Sequence, residues 1–253
     1  MLSKNIHYLI ILPFLALCGI NPTTAEDGRI PTILLDPGHT PKQPGALGVS
    51  GIYEVVYNDH FVSKLAKALR SASFTVNLTR QPDQSISLID RVAIANNRQS
   101  ELFLSIHHDS AQPIYLKKIN LENGYGYQAI KQIAGYSIFV SNTNPQFANS
   151  YRFAEILGQS LLKLGRPPTL HHAEDISGEH RELLNERLGV YRFDDLIVLA
   201  KTKIPAVLLE IGVIVDPGDE HYISVESNQD AMCQAIVKAI QAYVRENPAT
   251  SSK

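Results

Sequence analysis

A chain of 253 residues is long enough for one α/β domain with a substantial core. Hydrophobic residues make up 44% and charged residues 19%, values that exclude a disordered segment or a membrane-embedded bundle. The formal net charge is −2 and no basic stripe is visible, so nucleic acid is not an expected partner and electrostatic capture of an anionic polymer is not the expected mode of binding.

The first 25 residues read as an export signal rather than as part of the fold. Lys4 supplies a short positive start, Tyr8 to Cys18 an apolar core too short for a comfortable membrane span, and Thr23-Thr24-Ala25 a small-residue cleavage site. The alternative is an anchor helix that stays attached; a lipoprotein signal is disfavoured because bulky Leu17 precedes Cys18. Cleavage after Ala25 would remove Lys4 and no acid, taking the net charge from −2 to −3, and would leave Cys233 without an internal disulfide partner. Cys233 falls in an apolar helical pattern with Met232, Ile236 and Ile240 and reads as a packed residue. Residues 26–253 are expected to form a single domain, with no repeat and no low-complexity tract. The product would be exported, to a periplasm or cell envelope, with no stable membrane insertion after cleavage and as a monomer.

Thr32 to Asp36 is a short apolar run, consistent with a buried strand that Pro37-Gly38 ends. Gly45, Gly48 and Gly51 mark a loop; no Lys-Ser/Thr follows, so it is not read as a phosphate cradle. Glu54 to Arg70 carries Phe61, Leu65 and Leu69 at helical spacing, with Val62 and Ala66 alongside. Phe74 to Leu78 reads as a second strand. Ser87 with Asp90 forms an imperfect capping box for a helix through Ala95. Leu102 to Ile106 and Ser137 to Val140 are further strands, and Phe147 to Leu164 is an amphipathic helix stopped by Gly165 and Pro167-Pro168. Ser177 to Arg187 reads as a short helix capped by Ser177, with Glu179, Glu182 and Glu186 on it and Leu183, Leu184 and Leu188 available to pack. Ala206 to Leu209 is a buried strand, and Ser227 with Asp230 starts a last helix that ends before Pro248. This alternation predicts a single three-layer α/β sandwich, its mostly parallel central sheet flanked by helices.

Three of the strand-like runs end in a residue able to bind metal or move a proton: His39 after Ile33 to Gly38, His107 after Leu104 to Ile106, and Glu210 after Val207 to Leu209. In an open α/β sheet the ligand crevice lies outside the carboxyl ends of the strands. Glu54 opens the helix that follows the first strand; on its own it reads as a helix-start acid favoured by the dipole. Two His and one Glu, with a second Glu nearby, make the ligand set of a hydrolytic zinc site with an open position.

These segments, in this order, resemble the zinc-dependent N-acetylmuramoyl-L-alanine amidases of the cell-wall hydrolase type. Leu34-Leu35-Asp36-Pro37-Gly38-His39 is similar to the family's first ligand motif, Glu54 within Tyr53 to Asn58 to its helix-borne Glu ligand, and Leu102 to His107 to its third ligand motif. Leu78-Thr79-Arg80 and Ser87 to Asn96 resemble its middle signature, and Pro205 to Gly212 the segment with its catalytic Glu. The likeness spans roughly residues 32 to 245. The chain departs from the pattern in having His108-Asp109 after the third ligand, in reading Val213-Ile214-Val215-Asp216 after Gly212, and in a long Ala111 to Ala134 segment.

The resemblance implies that His39, Glu54 and His107 hold Zn2+, which acidifies water to a pKa of about 7, and that Glu210 takes the proton and passes it to the leaving amine. The substrate implied is peptidoglycan, cut at the amide between N-acetylmuramic acid and L-alanine. Alternatives are a zinc peptidase or deacylase acting on another amide, and a peptidoglycan-binding protein without activity. Because neighbours on a strand point to opposite faces, only one of His107 and His108 can face the metal, and His107 fits the motif. Asp36 and Asp109 are candidates to hold the ligands' second ring nitrogens. His171, His172 and His180 read as loop histidines at the surface rather than ligands, and His60 as a helix-surface residue. In some family members a helix in the Thr169 to Glu186 region covers the zinc until an activator protein moves it; here simple packing of Ser177 to Arg187 is the preferred reading and gating the alternative.

Overall fold

The computed structural model describes residues 30–246; the expected export signal lies outside them. Two short apolar runs that the sequence marks as strands, β1 (Thr32–Pro37) and β3 (Leu102–Asp109), lie side by side and parallel within a seven-stranded sheet. β2 (Thr75–Leu78) flanks β1, and β9 (Ala206–Val213) flanks β3, both parallel. β6 (Ser137–Val140) pairs antiparallel with β9, β8 (Val190–Arg192) parallel with β6, and β7 (Glu182–Asn185) antiparallel with β8. The order is therefore β2-β1-β3-β9-β6-β8-β7. The carboxyl ends of β1, β3 and β9 come out on one edge.

Side chains alternate between the two faces of this sheet. Ile33, Leu35, Leu104, Ile106, Val207 and Leu209 pack on one face against α1 (Glu54–Ser71), α3 (Phe147–Lys163) and α6 (Glu226–Glu246). Leu34, Phe103, Phe139, Tyr191 and Leu208 pack on the other against α2 (Leu88–Asn97) and α4 (Ile197–Ala200). Full burial of one such Leu, Ile or Phe contributes about 1.5–3 kcal/mol. The three-layer sandwich is as expected, with two antiparallel pairings in an otherwise parallel sheet. Among the described residues no helix is long and apolar enough to cross a membrane.

The capping box of α2 is complete: the Asp90 main-chain N–H donates to Ser87 Oγ at 3.1 Å, and the Ser87 N–H donates to Asp90 Oδ2 at 3.1 Å. Gly165 follows α3 in the left-handed region, φ 85°, where it ends the helix. Cys233 is buried in α6 and His60 is exposed on α1, as read.

Several local expectations are corrected. Ser177 to Arg187 is not a helix: Gly178 and His180 adopt positive φ, 91° and 68°, which breaks any helical run, and Glu182–Asn185 then forms β7. Leu183 and Leu184 fall on opposite faces, as strand neighbours do. α6 begins at Glu226, so Ser227 lies inside its first turn rather than at its cap. A separate helix, α5 (Pro217–Ser224), precedes it, capped by Asp216 Oδ1, which accepts from the Gly218 and Asp219 N–H groups at 3.0 Å. β3 and β9 run past the predicted ends, through Asp109 and Val213. The long segment after β3 is largely a hairpin, β4 (Leu116–Leu121) and β5 (Gly124–Ala129).

Candidate active site

His39 lies just past the end of β1, in the left-handed region with φ 61°, a strained position for a residue with a Cβ. Two buried arginines hold the turn in place. Arg80 donates from Nε to the His39 carbonyl (2.8 Å) and from Nη2 to the Gly38 carbonyl (2.9 Å). Arg91 donates to the Pro37 carbonyl (2.7 Å) and to the His39 carbonyl. Each arginine is paired with an acid, Arg80 with Asp59 and Arg91 with Asp36. The middle signature of the sequence thus has a structural meaning: Thr79, Arg80 and Arg91 converge on the β1 turn, with Thr79 Oγ1 donating to Asp36.

Glu54 opens α1 and is buried there. Its Oε2 accepts from His39 Nε2 at 2.8 Å, and its Oε1 from His107 Nδ1 at 3.0 Å. Main-chain N–H groups of Ala46 and His108, and Asn58 Nδ2, complete its partners. Burial would raise its pKa; the hydrogen bonds and charges of His107 and His39 outweigh that and hold it well below the usual carboxylate range. Glycines make the approach possible. A Cβ on Gly38 would lie 2.4 Å from the His107 ring, and one on Gly45 2.5 Å from Glu54 Oε2. The donor atoms of His39, Glu54 and His107 all lie within 4.8 Å of one another. A tetrahedral zinc with bonds of about 2.0–2.2 Å separates its donors by about 3.3–3.6 Å, so the cluster fits such an ion with small side-chain shifts.

His108 points the other way. It is buried under α1 with its Nδ1 2.8 Å from Asn58 Oδ1, beside Phe61. Burial pushes its pKa down to about 3, so it is a neutral packed ring.

Glu210 stands on β9 directly opposite His107 in the parallel register. Its Oε2 is inaccessible and has no hydrogen-bond partner among the described residues. Burial, then the charges of Asp109 and Glu54, push its pKa well above the usual value. His39, His107 and Glu210 line one cavity of about 350 Å³, and His39 and His107 also border an apolar cavity of about 290 Å³ walled by Ile86, Leu88 and Ile197. The larger hollow of about 400 Å³ between α1 and β2 holds none of these residues.

The two aspartates do not support the ligands as expected. Asp36 is committed to Arg91, Thr79 and Ser105. Asp109 instead accepts from His172 Nε2 at 2.8 Å, with His171 Nε2 at 3.5 Å. His171 and His172 are therefore not surface residues; only His180 is exposed, paired with Asp175. Burial alone would lower His172, but the Asp109 and Glu179 carboxylates more than offset it and hold it up at about 9. Glu179, in the segment for which gating was the alternative to packing, accepts from His172 Nδ1 (2.8 Å) and Gln112 Nε2 (2.9 Å). The adjacent histidines were the signal for this cluster in the sequence; their partner Asp109 was not visible from local pattern.

Residues 33–242 match the family model described as N-acetylmuramoyl-L-alanine amidase. The chain belongs to this family. Among its relatives, N-acetylmuramoyl-L-alanine amidase AmiC of Neisseria meningitidis serogroup B is 25% identical, the match covering 88% of this chain and 55% of that protein. Probable cell wall amidase LytH of Staphylococcus saprophyticus is 29% identical, over 85% of this chain and 59% of its own length. N-acetylmuramoyl-L-alanine amidase AmiA of Salmonella typhimurium is 27% identical, over 88% and 79%. The chain thus spans little more than half the length of the first two. The crystal structure of N-acetylmuramoyl-L-alanine amidase from Clostridium difficile 630 shares the amidase fold, with a TM-score of 0.66 at 24% identity, covering 86% of this chain and 98% of that one.

Proposed function

We propose that this chain is a zinc-dependent N-acetylmuramoyl-L-alanine amidase that cleaves the amide between N-acetylmuramic acid and L-alanine in peptidoglycan. The observation that carries the reading is the convergence, in a chain of this family, of His39, Glu54 and His107 within 4.8 Å beside Glu210, whose buried Oε2 has no partner among the described residues. His39, Glu54 and His107 would hold the zinc. When bound, zinc supplies Lewis-acid chemistry, polarising the scissile carbonyl and making water a nucleophile at neutral pH.

Glu210 is the proton carrier of this reading. It takes the proton of the attacking water and delivers it to the departing L-alanine nitrogen. Arg80 and Arg91 fix the main chain that presents His39, so the ligand is positioned before substrate arrives. The apolar wall of Ile86, Leu88 and Ile197 and the cavity beside Glu210, where Gln112, Glu179 and Arg181 add polar groups, offer the two sides on which an extended substrate would lie.

Residues 1–25 act in this reading as an export signal and 26–253 as the catalytic domain, which places the activity in the cell envelope. A partner protein is part of the proposal: an amidase of the same fold, CwlD of Clostridioides difficile, has been solved in complex with the GerS lipoprotein. Digestion of purified sacculi and of defined muropeptides, with products weighed by mass spectrometry, tests the assignment. Free stem peptides with an L-alanine amino terminus are expected. Cleavage only within the peptide would make it a peptidase, and binding without release a non-catalytic module.

A further inference from the structure

Asp109, His171 and His172 form a second group whose donor atoms lie within 4.8 Å of one another, and it shares no residue with the first. It is assembled from the end of β3 and a 3-10 turn, His171–Ala173. Both ring Nε2 atoms converge on the same oxygen, Asp109 Oδ2, at 2.8 Å from His172 and 3.5 Å from His171. The two imidazoles lie close together, centroids 3.9 Å apart.

The other nitrogen of each ring has its own oxygen partner. His171 Nδ1 is 2.9 Å from Thr169 Oγ1, and His172 Nδ1 is 2.8 Å from Glu179 Oε2. This is how ligating histidines are usually held: one nitrogen donates outward to an oxygen, which leaves the lone pair of the other directed at the ion. An ordinary hydrogen-bond network accounts for His172, which sits between two carboxylates. It does not account for His171. That residue is 5% exposed, and its Nε2 is buried without a hydrogen-bond partner among the described residues. A buried polar atom left so carries an uncompensated desolvation cost, which a cation on that nitrogen would relieve.

We infer that Asp109, His171 and His172 bind a second divalent transition-metal ion. Two imidazoles and one carboxylate suit zinc rather than magnesium or calcium, which take all-oxygen shells. Asp109 and His172 line the same cavity as His39, His107 and Glu210. Three protein ligands leave a coordination position, and on the cavity side it would take a water or an oxygen of whatever occupies the cavity.

The test is zinc stoichiometry. The purified chain is stripped with chelator, equilibrated by dialysis with zinc, and measured by elemental mass spectrometry. Two zinc ions per chain are expected. His39→Ala should hold one, and a His171→Gln/His172→Gln double variant one, each checked for folding by circular dichroism. Diffraction at the zinc absorption edge should place one anomalous peak between Asp109 and the two rings; this measurement uses the unaltered chain and needs no variant to fold. One ion in the unaltered chain, lost in His39→Ala, with no peak at Asp109, would overturn the second site and leave the first standing. Two ions that both persist in the double variant would overturn it as well. A single ion kept in His39→Ala and lost in the double variant would support this site and remove the first.

Discussion

His107 of β3 and Glu210 of β9 are directly opposed across a parallel strand pair. Parallel neighbours lie about 4.8 Å apart and point to the same face. The sheet itself therefore sets a histidine of the proposed metal site beside a carboxyl group whose Oε2 has no partner among the described residues. Sheet hydrogen bonds rather than a mobile loop fix that relationship, as a proton carrier needs.

Glu210→Gln should lower peptide release from sacculi by about 10²–10⁴-fold, the usual loss when a general base is removed, while zinc content stays at the parental value. Both are measured on the same preparation. Release at the parental rate would remove Glu210 from the mechanism.

The same substitution has a consequence for stability. An acid whose folded pKa is raised binds more protons folded than unfolded between its ordinary value and the raised one, so stability falls as pH rises through that window. Glu210 is such a group. In chelator-treated protein, Glu210→Gln should raise the melting temperature at pH 7–8 and leave it little changed at pH 4. An equal shift at both values would mean the effect is packing, not charge.

On the proposed reading, His107→Ala, His39→Ala and Glu54→Ala should each lose zinc and activity together. His108→Ala should keep its zinc. The latter variant leaves Asn58 Oδ1 without its 2.8 Å partner and should be destabilised by about 1–3 kcal/mol. Zinc analysis with urea unfolding separates metal loss from stability loss. Metal lost from the His108 variant and kept by the His107 variant would reverse the two roles.

Arg91→Met should destabilise the fold by about 3–5 kcal/mol, because it strands a buried Asp36 charge, and should weaken zinc retention, because the carbonyls of Pro37 and His39 lose a donor. Urea unfolding and competition with a chelator measure the two effects. A variant as stable as the parent would show that the clamp on the β1 turn resides in Arg80 alone.

The sequence by itself determined the elements that bury a full face: β1, β3 and β9 as apolar runs, and α1, α2, α3 and α6 by helical spacing or capping. Because three strand runs end at a residue able to bind metal or move a proton, it also pointed to His39, His107 and Glu210; Glu54, at the start of a helix, came in through the family resemblance. The two-residue period of a strand allowed only one of His107 and His108 to face the site, and the resemblance to the family motif chose His107. What lacks a period was not legible. The segment from Ser177 to Arg187 carries leucines and glutamates that satisfy a helical pattern, yet positive φ at Gly178 and His180 and pairing with β8 make part of it an edge strand. Only the tertiary structure gave Arg80 and Arg91 their task on the β1 carbonyls, and only it joined Asp109 to His171 and His172. Those partners are distant along the chain and meet because the sheet order and the loop path bring them together. Hydrophobic periodicity reports which face of an element is buried; it carries no information about which polar groups then meet at the edge of the sheet.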